Sequence, residues 1–359
     1  MALPPTLAPA GGTPAQVPYR RIATEEAWCP PAMLDLYNDI LKAGTLDDPG
    51  FMTMFGFYMN SPSKRSQEIR DYLVDLGPQR LAHMDERGID VQILSLTSPG
   101  VQVFERDLAV SFAAESNDIL ADAITKHPTR YAGLAAIAPQ DPVAAAKELE
   151  RGITKLGLSG GVINSHTFGE YLDDRKFWPI FEAAEALDTP IYLHPQVPPR
   201  GLVEKLLERG LDGAIYGFSV ETAMHMLRIM ISGALDRFPK LQFILGHGGE
   251  ALPFWMYRLD YMHRAGVVSK RYESMPPTDR PISQYLRENV CVTSSGMAWS
   301  PAITFCQQVL GVDRVMYAMD YPYQHGVEEV IASDGFAMSD VDKRAFFQGN
   351  AERVFKLKA

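Results

Sequence analysis

Four places in this sequence put an acid or a histidine at the end of a short apolar run. They are Thr24-Glu25-Glu26-Ala27, His194 before Pro195, His247 with Glu250 in Gly246-His247-Gly248-Gly249-Glu250, and Asp320 before Tyr321-Pro322. Brought together, such carboxylates and imidazoles form a hard-to-borderline donor set. That set suits Mn²⁺, Zn²⁺ or Fe²⁺, with positions left open for substrate and water. His247 and Glu250 add a second pattern, because a carboxylate holding one ring nitrogen decides which tautomer the other nitrogen presents. Each residue also has an ordinary reading. Glu25 or Glu26 could cap the next segment, a single histidine after a strand is usually structural, and Asp320 fits a turn. All these ordinary readings would have to hold at once, so the joint pattern favours chemistry.

Five further histidines read as structure. His225 sits mid-helix and belongs to a core, His83, His127 and His263 belong to helix surfaces, and His166 supports rather than ligates. Cys29, Cys291 and Cys306 lie far apart with no Cys-x-x-Cys spacing, which argues against both a disulfide framework and a thiolate zinc site.

Only a fold that gathers strand ends could join these groups. Short apolar runs, mostly of small or β-branched residues, recur at 21–24, 91–96, 131–137, 160–163, 190–193, 242–245, 290–293 and 315–319. Between them lie amphipathic stretches such as 108–127, 142–156, 176–187 and 219–232, with Ala145, Leu149, Ile153 and Leu156 at helical spacing. Eight strands alternating with helices predict an α/β fold, a (β/α)8 TIM barrel whose active site sits at the C-terminal strand ends. An open doubly wound sheet alternates in the same way, but no Gly-x-Gly-x-x-Gly follows the first run and no dinucleotide cofactor is expected. Two insertions break the rhythm. One, after the first strand, holds residues 31–43, a Gly/Met/Phe/Tyr-rich loop at 50–60 and two further helices; the other spans 197–217 after the fifth strand. Both leave C-terminal strand ends, so both should roof the site or meet a neighbouring subunit.

Composition sets the limits. The chain has 359 residues with a net charge of -10, which argues against nucleic acid or an anionic membrane as partner. No run reaches the length of a membrane span. Residues 1–18 are proline-rich and uncharged, and read as a flexible arm without signal-peptide character, ahead of a single domain at 19–359. A cytoplasmic protein is expected.

With these pieces assembled, the chain resembles the amidohydrolase superfamily, and within it the metal-dependent decarboxylases of hydroxybenzoate-type acids. The stretches that carry the likeness include Ile22-Ala23-Thr24-Glu25-Glu26-Ala27, Leu96-Thr97-Ser98-Pro99-Gly100-Val101, Tyr192-Leu193-His194-Pro195, Gly246-His247-Gly248-Gly249-Glu250 and Met319-Asp320-Tyr321-Pro322. The resemblance covers about 20–356 and implies residue roles. Glu25, His194 and Asp320 match the metal ligands, His247 matches the catalytic histidine, and Glu250 matches its paired carboxylate. Departures narrow it further. The His-x-His of most relatives is replaced by Glu25 and Ala27, and Asn164 stands where a bridging carboxylated lysine would sit. The resemblance therefore implies one divalent ion, Mn²⁺ with Zn²⁺ as alternative, and disfavours a binuclear hydrolase.

The implied reaction is non-oxidative loss of CO₂ from an ortho-hydroxy aromatic acid, most specifically 5-carboxyvanillate to vanillate in lignin-derived aromatic catabolism. A metal there would act as Lewis acid and template. Asp320 would protonate the ring carbon, assisted by the His247–Glu250 pair. A distal carboxylate needs a counter-charge, which Arg258 or Arg65 could supply, Arg65 from a neighbouring subunit. Tyr58, Thr97 and Tyr321 are candidates to line the pocket. A homo-oligomer, dimer or tetramer, is expected. The alternatives are a mononuclear hydrolase of a lactone or amide, and an inactive barrel used for binding.

Overall fold

The computed structural model describes residues 12–357, so residues 1–11 of the expected arm lie outside the described residues. From there the arm runs against the body: the Ala15 amide donates to Asp334 Oδ2 at 2.9 Å, and Arg21 Nη2 donates to the Ala15 carbonyl at 2.8 Å.

Parallel strands follow one another around the molecule. Among the described residues they are β1 (Ile22–Trp28), β2 (Val91–Leu96), β3 (Tyr131–Gly133), β4 (Ala135–Ala136), β5 (Gly161–Asn164), β6 (Ile191–His194), β7 (Phe243–Leu245), β8 (Val290–Thr293) and β9 (Val315–Met316). They pair in the order β1-β2-β3 and β4-β5-β6-β7-β8-β9. β3 and β4 are one strand interrupted at Leu134, whose amide bonds to the Leu94 carbonyl at 2.9 Å while Ala135 bonds to the Gly160 carbonyl at 2.8 Å. At the other seam the Thr24 amide reaches the Tyr317 carbonyl at 3.1 Å. Counted this way, eight strands surround a common interior. One apolar cluster draws Ile22, Ile93, Leu134, Val162, Tyr192, Ile244, Cys291 and Met316 from successive strand positions, with Ala351 and Phe355 of the C-terminal segment packed onto it. A second, larger cluster fills the layer between strands and helices. This is the filled core of a (β/α)8 barrel.

Strand lengths depart from the expectation in ways that matter for the site. β1 runs to Trp28, so Glu25 and Glu26 lie within the strand rather than past it. Its register against β2 shifts between Ala23 and Glu26, and such a bulge re-aims side chains beside active sites. β6 likewise includes His194, whereas β9 stops at Met316 and leaves residues 317–320 as irregular chain.

Both insertions are at the mouth. The first forms four helices, Pro31–Ala43, Pro49–Asn60, Lys64–Val74 and Pro78–Arg87. The second of these corrects the loop expected at 50–60. Its glycines and aromatics have poor helix propensity, but Asp48 accepts from the Phe51 amide at 2.9 Å and Pro49 opens the first turn. Phe51 and Phe55 then pack on Tyr37, with ring centroids 5.4 and 4.7 Å away. Tertiary burial outweighs propensity here.

Candidate active site

Glu25 is buried at the top of the packed interior, where alternation along β6 points Tyr192 and His194 the same way. Glu25 Oε2 accepts from the Tyr192 hydroxyl and, at 3.0 Å, from Thr293 Oγ1. Burial first, and then the Glu25 charge, push the Tyr192 phenol well above its ordinary value, so it stays a donor. Among the described residues Glu25 Oε1 has no hydrogen-bond partner. It faces His194 Nε2 at 3.4 Å and His247 Nε2 at 3.9 Å.

The two imidazoles differ. His194 Nδ1 lies 2.8 Å from the Pro195 carbonyl, an oxygen that can only accept, so that nitrogen carries the proton and Nε2 presents a lone pair. Burial lowers the His194 pKa against the opposing charge of Glu25, which keeps the ring neutral. His247 Nδ1 lies 2.7 Å from Glu250 Oε1. Burial alone would lower its pKa too, but the charges of Glu250 and Glu25 and the Glu250 hydrogen bond outweigh it, raising the value to about 10. His247 therefore offers Nε2–H as a donor. Its backbone, with Gly248, Gly249, Glu250 and Ala251, turns through consecutive left-handed conformations, which brings the Glu250 carboxylate back under the ring. Gly246 is required by space: a Cβ there would stand 2.6 Å from Glu25 Oε2.

Asp320 shares a cavity of about 520 Å³ with His194, His247, Arg65, Tyr58 and Tyr323. A second, apolar lobe of about 680 Å³ meets the first at His247, Asp320 and Gln324, and is walled by Met297, Trp299 and Phe305. Enclosure, followed by the Glu25 and Glu26 charges, pushes the Asp320 carboxyl well above the carboxylate range, against the pull of His247.

A cation fits this donor set. The orphaned Glu25 oxygen and the His194 lone pair are two acceptors turned toward each other, an arrangement that repels unless a positive charge lies between them. Among the described residues no three His, Cys, Asp or Glu side chains already form a closed ligand cluster, so Asp320 is a neighbour of this pair rather than part of a preformed cage.

The other expected residues are distributed unevenly. Tyr58 lines the cavity and its ring lies 5.8 Å from that of Tyr323. Thr97 is buried with Oγ1 at 2.7 Å from the Tyr323 hydroxyl, one step behind the wall. Tyr321 faces away: its hydroxyl is 3.0 Å from His83 Nδ1 and its ring lies under Arg80. This also corrects the surface reading of His83. Arg65 lines the cavity of its own chain and donates to the Tyr323 carbonyl at 2.6 Å, so it needs no neighbouring subunit. Arg258 does not reach that cavity. Its helix, Leu252–Val268, buries Leu252, Pro253, Met256 and Gly266, and residue 258 falls on the outward side, beside Trp255 and Met262. His225 and His166 are core, bonded to Ser165 and to the Val197 carbonyl. Sequence reasoning missed Tyr192, Thr293, Tyr323 and Gln324. For Tyr192 a signal existed, since it stands two residues before His194 on one strand face.

Comparison with known proteins finds decarboxylases of hydroxybenzoic acids. The chain is 36% identical over 304 residues to the gamma-resorcylate decarboxylase of Polaromonas sp. JS666, covering 82% of this chain and 92% of that one. A crystal structure of 5-carboxyvanillate decarboxylase from Novosphingobium aromaticivorans, complexed with manganese and 4-hydroxy-3-methoxy-5-nitrobenzoic acid, superposes with a TM-score of 0.94 at 52% identity. It covers 96% of this chain and 98% of that one. A dihydroxybenzoic acid decarboxylase of Polaromonas sp. JS666, with bound manganese and the inhibitor 2-nitroresorcinol, gives 0.82 at 33%, covering 95% and 98%. The sequence profile of the amidohydrolase family matches residues 70–357, and with that span and these relatives the chain belongs to that family.

Proposed function

We propose that this protein is a metal-dependent carboxy-lyase that removes CO₂ from a hydroxybenzoic acid, with 5-carboxyvanillate as its substrate and vanillate as its product. The observation that carries the reading is the facing pair of Glu25 Oε1 and His194 Nε2 beside Asp320 and Arg65, in one cavity of a chain similar to two manganese-bound aryl-acid decarboxylases. The lactone- or amide-hydrolase alternative is not favoured, since the relatives described above are decarboxylases.

Glu25, His194 and Asp320 would hold one divalent ion, Mn²⁺ with Zn²⁺ as alternative, which when bound supplies a Lewis acid that favours the ionised phenol at neutral pH. The chain's own residues do the remainder. His247 donates Nε2–H to the phenolic oxygen, and Glu250 fixes the ring that does so. Asp320, which shares the cavity with His194 and His247, places a proton on the ring carbon bearing the carboxylate. The carbon–carboxylate bond then breaks, its electron pair returns to the ring, and CO₂ leaves as aromaticity is restored. Arg65 pairs with the distal carboxylate.

Two wider parts belong to the same proposal. Three unpaired cysteines suit a reducing cytoplasm. The outward aromatic side of helix Leu252–Val268 suits a homo-oligomer.

The test is direct. Enzyme stripped with a chelator should lose turnover of 5-carboxyvanillate, followed by ultraviolet absorbance and CO₂ release, and Mn²⁺ should restore it. Full activity without metal would defeat the ligand assignment, and no CO₂ from any ortho-hydroxy aryl acid would defeat the reaction.

A further inference from the structure

Glu26 is fully buried beside Glu25 on β1, yet its carboxylate serves a different part of the fold. Oε1 accepts from the Met319 amide at 3.0 Å, and Oε2 accepts from the Tyr321 amide at 3.2 Å. These are the two amides that flank Asp320. The residue between them has φ +79°, a left-handed conformation that a non-glycine residue keeps only when its surroundings over-determine it. The same short segment is held at two further points: the Ala27 amide donates to the Tyr321 carbonyl at 2.7 Å, and the Gln324 amide donates to the Asp320 carbonyl at 2.8 Å.

The clamp is itself braced. Gln92 Nε2 stands 3.5 Å from Glu26 Oε2, and Gln92 Oε1 accepts from Arg80 Nη1 at 3.2 Å. Arg80 is buried and tied to the Ala27, Tyr72 and Asp75 carbonyls at 2.8, 3.0 and 2.8 Å, with its guanidinium 4.4 Å above the Tyr321 ring. A buried acid so placed has no path to substrate, and its geometry is that of a brace.

We propose that Glu26 is a positioning residue for Asp320: by bridging the amides of Met319 and Tyr321, it holds Asp320 in its left-handed conformation and so aims its carboxyl group into the cavity. Strand pairing stops at Met316 and the seam bond at Tyr317, and beyond them the side chain of Glu26 holds the amides on either side of Asp320. This rests on the catalytic reading of Asp320 given above, and it adds the cause of that residue's orientation.

Glu26→Gln is the sharp variant. Its amide keeps one acceptor oxygen, but its NH₂ meets a backbone N–H, so only one flanking amide stays satisfied. Glu26→Asp keeps both oxygens and shortens the reach by one methylene. The experiment measures steady-state decarboxylation with Mn²⁺ present, circular dichroism, and a crystal structure of each variant. Misplacing a reacting group by about 1 Å costs on the order of 100-fold, so Glu26→Gln should lose roughly 50-fold in kcat with KM within about threefold, and Glu26→Asp roughly tenfold. In the crystal Asp320 of Glu26→Gln should leave its left-handed conformation while the barrel is unchanged. An unmoved Asp320 with kcat within threefold of wild type overturns the proposal. If Glu26→Gln does not fold, Glu26→Asp carries the test, and its kcat within threefold of wild type is equally fatal. Asp320→Asn separates the two readings. Full turnover there would defeat the catalytic role of Asp320 and leave the backbone shift in Glu26→Gln as the measure of the clamp.

Discussion

Arg65 and Asp320 approach the cavity from opposite ends of the chain, one from an inserted helix and one from the loop after β9. Asp320, His194, His247 and Glu25 were legible in the sequence because each terminates an apolar run, and strand ends are where such a barrel does chemistry. Tyr192 and Thr293 were not, because a polar residue within a buried strand reads as core until its partner, here Glu25, is placed. Arg258 was misplaced for a third reason: chain distance from His247 does not say which side of a helix a residue takes. The arginine contact can be tested by its selectivity. Arg65 is exposed at the rim of the cavity, so loss of its guanidinium–carboxylate pair costs about 1 kcal/mol, or roughly fivefold in kcat/KM. Arg65→Met should therefore fall by that factor with 5-carboxyvanillate and by far less with an analogue lacking the distal carboxylate. Equal losses on both substrates would refute the contact.

Helix and strand boundaries show where local signals win and where packing does. β2 and β8 fall where the apolar runs predicted, because flanking turns and helices bound them tightly. β9 is shorter than its run, since the segment from Tyr317 bends away to carry Asp320. Helix Gly217–Ile231, near the end of the second insertion, illustrates an element built around a buried acid. Glu221 is fully buried with Thr222 Oγ1 3.4 Å from its Oε2, and burial raises its pKa to about 8. The consequence for stability has a definite sign. Between the unfolded value near 4.5 and about 8 the folded protein keeps a proton that the unfolded chain releases, so stability falls as pH rises through that window and levels off above it. Glu221→Gln removes this slope. Urea unfolding at pH 5, 6, 7 and 8 should show wild type losing stability relative to the variant by at most about 1.4 kcal/mol per pH unit. Parallel curves would mean that Glu221 is ionised in the folded state.

For the whole molecule the question is how an acidic protein takes up the doubly anionic substrate proposed for it and what covers its apolar surface. A net charge of -10 gives no long-range attraction, so recognition has to be local and enclosed. Enclosure is incomplete in one chain. Phe254 is 70% exposed, Tyr257 84% and Val268 78%, all on helix Leu252–Val268, and Trp299, 52% exposed, walls the apolar lobe of the cavity. Phe254 walls that lobe too, so the exposed aromatic surface is continuous with the mouth. Monomers rarely leave such contiguous patches in water, and a second copy of the chain laid across this helix would cover patch and mouth together. Burying about 800 Å² per partner is ordinary for a stable dimer. Light scattering of the wild-type protein at micromolar concentration should therefore give at least twice the 39.9 kDa chain mass. Tyr257→Glu combined with Val268→Glu places two charges on the exposed face of this helix, where desolvation without a partner is costly. That variant should scatter as a 39.9 kDa monomer with an unchanged circular dichroism spectrum. A wild-type protein that is already monomeric, or a double variant that keeps the wild-type mass, would remove helix Leu252–Val268 as the contact and leave its aromatic face without a partner in this chain.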